Sequence, residues 1–146
     1  MFEGQTRPVH VLLVEDNPGD VRLMREALRN GDPAKRLDAV EDGEEALAYL
    51  RRLHPYSQVP KPDLIFLDLN LPKKDGREVL SEIKQDDALR RIPVVVLTTS
   101  EAERDILRVY DLHANCYVKK PTDLDEYMEV IRACENFWLH IVRLPR

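Results

Sequence analysis

The 146-residue chain predicts an α/β protein, a (βα)5 doubly wound fold in which five parallel strands alternate with five helices. Two observations carry that prediction. Short aliphatic runs without polar alternation recur along the chain, and each is followed by a segment with apolar residues at helical spacing. Such runs suit strands buried on both faces, as in a parallel sheet covered by helices on each side.

The clearest runs are Val9 to Val14 (VHVLLV), Leu64 to Leu67 (LIFL) and Val94 to Leu97 (VVVL), with weaker strands at Arg36 to Val40 and Cys116 to Lys119. Between and after them the helical period is carried by Val21, Met24 and Leu28, then by Ala46, Leu47 and Leu50. It continues in Val79, Leu80 and Ile83, in Ile106, Val109 and Tyr110, and in Tyr127, Val130 and Ile131. Punctuation agrees: Asn17-Pro18 can cap the first helix, Asn30-Gly31 can end it, and Pro93 opens the fourth strand. His54 to Pro62, with three prolines, reads as a long loop before the third strand. No repeat, low-complexity tract or linker divides the chain, so residues 1–146 read as one domain with residues 137–146 as an apolar C-terminal extension.

Composition narrows the class. A hydrophobic content of 43% with 34% charged residues is ordinary for a soluble globular chain. The net charge of -5, with no basic run, argues against a nucleic-acid surface. There is no signal peptide and no apolar run of the ~18–20 residues that a membrane span needs, so the expected location is the cytoplasm. Cys116 and Cys134 lie far apart, and His10, His54, His113 and His140 show no metal-ligand spacing. Disulfide, zinc and histidine chemistry are therefore not expected. His113 reads as a loop residue before the fifth strand.

Ligands of open α/β sheets bind outside the carboxyl ends of the strands, so the strand-terminal residues matter most. They are Glu15-Asp16, Asp68, Thr98-Thr99 and Lys119-Lys120-Pro121. Three carboxylates placed together repel one another unless a cation is present, and Mg²⁺, which takes oxygen ligands while leaving room for phosphate, is the natural occupant. Asn70 can add its backbone carbonyl. A carboxylate held against such a metal can attack a phosphoryl group, and the hydroxyl of Thr98 and the ammonium of Lys120 can stabilise its equatorial oxygens. Taken singly, Glu15-Asp16-Asn17-Pro18 can simply cap a helix, Asp68 can be a turn residue and Lys120 a solvated lysine. Their joint placement at four strand ends points to the chemistry.

The segments LLVEDNPGD, LIFLDLNLPKKDG, VVVLTTS and YVKKPTDL, in that order, resemble the four signature regions of response-regulator receiver domains over nearly the whole chain. The resemblance implies a flavodoxin-like strand order 2-1-3-4-5 and a two-component switch in which Asp68 is the phosphoacceptor. It further implies that Asp16 is a direct metal ligand, Glu15 an acidic partner acting through water, Lys120 the family's lysine and Tyr117 its switch aromatic, moving inward with Thr98. The Lys120-Pro121 bond is expected to be cis, as is common in the family. A narrower likeness in LDLNLPKKDGREVL, IPVVVLTTS, YDLHANCYVKKP and FWLHIVRLP is to single-domain receivers paired with phytochromes, which implies a light-sensing histidine kinase as partner.

Two other classes are weighed. A haloacid-dehalogenase-type phosphatase requires a second Asp two residues after its nucleophile, where this chain has Asn70. A flavodoxin-like FMN carrier requires a Ser/Thr/Gly-rich phosphate loop after the first strand, where this chain is acidic. The expected protein is thus a phosphoacceptor switch and not an enzyme, with only self-catalysed phosphoryl transfer and hydrolysis. With no output domain expected beyond the fifth helix, it acts on an unidentified downstream protein. The tail residues Phe137, Trp138, Leu139, Ile141, Val142 and Leu144 either continue onto the chain's own sheet or form a homodimer contact; the reading favoured is the dimer.

Overall fold

Alternate residues of each central strand face opposite sides of the sheet, and both sides are apolar, so helices must cover both. The computed structural model, which describes residues 8–29 and 34–146, has that construction. The strands are β1 (Val9–Val14), β2 (Lys35–Val40), β3 (Leu64–Leu67), β4 (Val94–Thr98) and β5 (Cys116–Lys119). The helices are α1 (Pro18–Leu28), α2 (Gly43–Leu50), α3 (Gly76–Gln85), α4 (Glu103–Asp111) and α5 (Leu124–Asn136). All strands are parallel, in the order β2-β1-β3-β4-β5. The Asn30-Gly31 helix stop lies outside the described residues.

Val9, Val11 and Leu13 of β1 join Leu64, Phe66, Val95 and Leu97 against Met24 and Leu28 of α1 and Tyr127 and Ile131 of α5. Leu12 and Val14 face the other way, with Ile65, Leu67, Val94 and Val96, onto Leu47 and Leu50 of α2 and Val79, Leu80 and Ile83 of α3. Burying each such side chain contributes roughly 1.5–3 kcal/mol, which fixes the register, because a one-residue slip would exchange the two faces.

Four helices begin at a carboxylate or amide cap. Asn17 Oδ1 accepts from Gly19 N at 2.9 Å and Asp20 N at 3.1 Å, Asp42 from Glu45 N at 2.7 Å, Asp75 from Arg77 N at 2.9 Å and Asp123 from Glu126 N at 3.0 Å. Helix α4 starts at Ala102 without a side-chain cap. Instead Asp105, in its first turn, accepts from Ser100 Oγ at 2.6 Å and pairs with Arg77 of α3 at 2.9 Å. His113 occupies the loop before β5 at φ 71.

The tail divides between two roles. After α5 a π-helical turn, Phe137–Ile141, widens the coil; Trp138, Leu139 and Leu144 then pack on the α1/α5 side of the core. Phe137 and Ile141 face outward. Arg146 lies against Asp63, 3.4 Å away, and donates to the carbonyl of Pro8 at 3.2 Å.

Candidate functional site

Backbone hydrogen bonding carries β1, β3 and β5 one residue past their ends and so fixes where the polar residues stand. Glu15 N donates to Val40 O at 3.0 Å, Asp68 N to Val14 O at 3.1 Å and Lys120 N to Thr98 O at 2.7 Å. These bonds set Glu15, Asp68, Thr98 and Lys120 side by side at the carboxyl edge of the sheet. All four are buried, whereas Asp16 is exposed at the rim.

Carboxylate oxygens of Glu15, Asp16 and Asp68 lie within 4.8 Å of one another. Three hard oxygen donors so close, with one open to solvent, fit Mg²⁺, which keeps several waters alongside one or two protein carboxylates. Asn70 is exposed, and its N–H donates to Asp68 Oδ1 at 3.3 Å, shaping the loop that follows Asp68.

Lys120 balances the acids. Its Nζ donates to Glu15 Oε1 at 2.5 Å and Asp20 Oδ2 at 2.8 Å, and reaches Asp68 Oδ2 at 3.4 Å. Burial acts to lower its pKa, yet the hydrogen bonds it donates to Asp20 and Glu15 outweigh it and hold the ammonium above the usual lysine range. Burial pushes Glu15 the other way, up to about 7, against the Lys120 hydrogen bond. Asp20 carries a role that the motifs did not reveal. Its only signal was position: four residues after Asp16, in the first turn of α1, it returns to the strand edge.

Thr98 is fully buried, with its Oγ1 facing Ser100 N at 3.5 Å, while Thr99 is exposed. Tyr117 is half-buried; its hydroxyl donates to the carbonyl of Ser100 at 2.6 Å, and its N–H donates to Tyr110 Oη at 3.2 Å. Tyr117 is thus tied to the loop that Thr98 begins. Lys119 points away and pairs with Glu101 at 2.8 Å.

One expectation is corrected. The cis X–Pro bond among the described residues is His54-Pro55, and Lys120-Pro121 is trans. Trans is the ordinary preference of such bonds.

A phosphoacceptor switch is the class that this edge defines, and comparison with known proteins agrees: the model of the response regulator receiver domain matches residues 11–132, and the chain belongs to that family. It is similar to the response regulator Rcp1 of Synechocystis sp., at 48% identity over 145 residues, 99% of each chain. The crystal structure of the phosphorylated cyanobacterial phytochrome response regulator RcpA superposes with a TM-score of 0.94 at 51% identity, covering 96% of this chain and 100% of that one. The Mn²⁺-bound form of Rcp1 gives 0.93 at 49% identity, over 95% and 100% of the two chains. The protein is accordingly a signalling switch of the two-component type, and neither the phosphatase nor the flavin reading is favoured. No helix among the described residues is long and apolar enough to cross a membrane.

Proposed function

We propose that the chain accepts a phosphoryl group on Asp68 from a phytochrome-type histidine kinase and relays the event through Thr98 and Tyr117. The observation that carries this reading is the convergence of a buried lysine on two buried carboxylates, Glu15 and Asp68, at the edge where the acidic cluster lies. A carboxylate oxygen of Asp68 attacks phosphorus while the bond to the donor nitrogen breaks. Glu15, Asp16 and Asp68, with the carbonyl of Asn70, would hold Mg²⁺, which would supply charge neutralisation for the phosphoryl oxygens. Lys120 and the Thr98 hydroxyl take the remaining equatorial oxygens, and the Thr98 movement is passed to Tyr117 through the Ser100 carbonyl. Hydrolysis of the acyl phosphate at the same residues resets the switch. Phosphotransfer is the test: a labelled phytochrome-type kinase passes its phosphate to this chain faster than unrelated histidine kinases do. A chain labelled by none, or by all alike, contradicts the pairing.

The metal assignment predicts a stability gain. Binding to the native cluster alone adds RT ln(1 + [L]/Kd), about 1–3 kcal/mol at tens to a hundredfold over Kd. Thermal melting with and without millimolar Mg²⁺ reads this gain, and Asp16→Ala is expected to erase it. An unchanged increment in that variant would remove Asp16 from the ligand set.

The cytoplasm is the proposed location, and a homodimer the proposed assembly. The outward Phe137 and Ile141 of the tail, with Leu107 and Tyr110 on α4, give the apolar surface for it. Truncation at Asn136 strips Trp138, Leu139 and Leu144 from the core as well, so point changes test the contact more cleanly. The full chain is expected to sediment as a dimer, and Phe137→Asp with Ile141→Asp as a monomer melting within a few degrees of wild type. A wild-type monomer at high micromolar concentration removes the dimer.

A further inference from the structure

Lys120 has one anionic partner more than phosphoryl chemistry needs. An ammonium carries three N–H donors, and three carboxylates surround this one: Glu15 at 2.5 Å, Asp20 at 2.8 Å and Asp68 at 3.4 Å. Glu15 and Asp68 belong to the acidic cluster, whereas Asp20 stands outside it, on the first turn of α1. Its backbone is pinned there by the Asn17 cap at 3.1 Å. The Lys120 side chain is 7% exposed, so few waters can replace a carboxylate that leaves it. The ammonium lies closer to Asp20 than to Asp68, leaning toward α1 and away from the phosphoacceptor position.

We propose that Asp20 is a positioning residue for Lys120: a counter-ion that holds the ammonium on the α1 side in the unphosphorylated protein and competes with the phosphoryl group for it. This rests on Asp68 being the phosphoacceptor. A phosphoryl group on Asp68 presents oxygens to Lys120 and must draw at least one N–H from its present acceptors. When Glu15 and Asp68 turn to a bound cation, Asp20 is the carboxylate left to Lys120, so the exchange is chiefly with it. Whatever holds Lys120 to Asp20 is subtracted from the stability of the phosphorylated form, and Asp20 thereby sets how readily the switch turns on.

The test uses Mg²⁺ with beryllium fluoride, a phosphoryl analogue that binds a carboxylate oxygen, and measures affinity by calorimetry on the full chain. Asp20→Asn keeps an acceptor and drops the charge; it is expected to tighten binding about fivefold, the lower end of ordinary coupling between sites. Asp20→Ser, a smaller uncharged residue that suits a first helical turn, is expected to give the same gain. In a Lys120→Met background the Asp20→Asn change is expected to leave the remaining affinity within about twofold. Weaker or unchanged binding in both single variants overturns the proposal, as does an equal gain without Lys120, which would mean that Asp20 acts on the ligand directly. If wild type binds no beryllium fluoride, the Asp68 assignment falls and this inference with it; if wild type binds and the Asp20 variants do not differ, only this inference falls.

Discussion

Asp68→Asn is expected to reduce phosphate incorporation from acetyl phosphate or from a kinase to background, below about one part in a thousand of wild type. The amide has nearly the shape of the carboxylate and can still accept from Asn70 N–H, so the fold has no reason to fail. What disappears is the nucleophilic oxygen and one negative charge of the cluster. Acid-stable phosphate on the variant, or label elsewhere in the chain, would show that another residue is the acceptor. Chelation of divalent ions is expected to stop transfer to wild type as completely, since the remaining carboxylates then repel the incoming phosphate.

Gly76→Ala is expected to cost about 2–4 kcal/mol of stability and to disorganise the same site. A Cβ at residue 76 would stand 2.3 Å from the carbonyl oxygen of Asp68 and 2.6 Å from Cα of Leu69, backbone atoms that cannot rotate away. The Gly76 N–H bond to Leu69 O at 2.9 Å draws α3 against the segment that carries Asp68. Gly43 presses on the same loop from α2, where a Cβ would meet Lys74 O at 2.0 Å. Residues 68–76 are therefore pinched between two helix starts. Melting temperature and Mg²⁺ affinity should both fall in Gly76→Ala, and a variant that matches wild type in both would show that this loop yields freely.

The sheet was legible because the central strands are buried on both faces. VHVLLV, LIFL and VVVL have no polar period to confuse with a helix edge; β1 and β3 begin and end where the sequence places them, as does the edge strand β5, while β4 runs one residue further, to Thr98. The edge strand β2 is only partly buried and starts one residue earlier than the sequence suggests, at Lys35. Asp68, Thr98 and Lys120 were legible as strand-terminal residues. Asp20 was not, because a carboxylate in a first helical turn is commonplace and only the approach of Lys120, one hundred residues away, gives it meaning. The bridge from Arg77 through Asp105 to Ser100 was hidden for the same reason. The division of the tail depends on packing against the sheet, which local pattern does not encode.

The pairing of Arg146 with Asp63 and Pro8 brings residue 8 and residue 146 to one place, at the amino edge of the strands. Asp63 precedes β3 and Asp68 follows it, so this place is about five residues, roughly 16 Å of extended strand, from Asp68. A circular permutant that joins these positions by a short linker and opens the chain in the proline-containing loop of residues 54–62 keeps every strand beside its present neighbours. Its new ends also emerge before β3, on the side away from Asp68, which makes that loop a point of attachment for a fluorescent or output module that leaves the acidic edge open to a kinase.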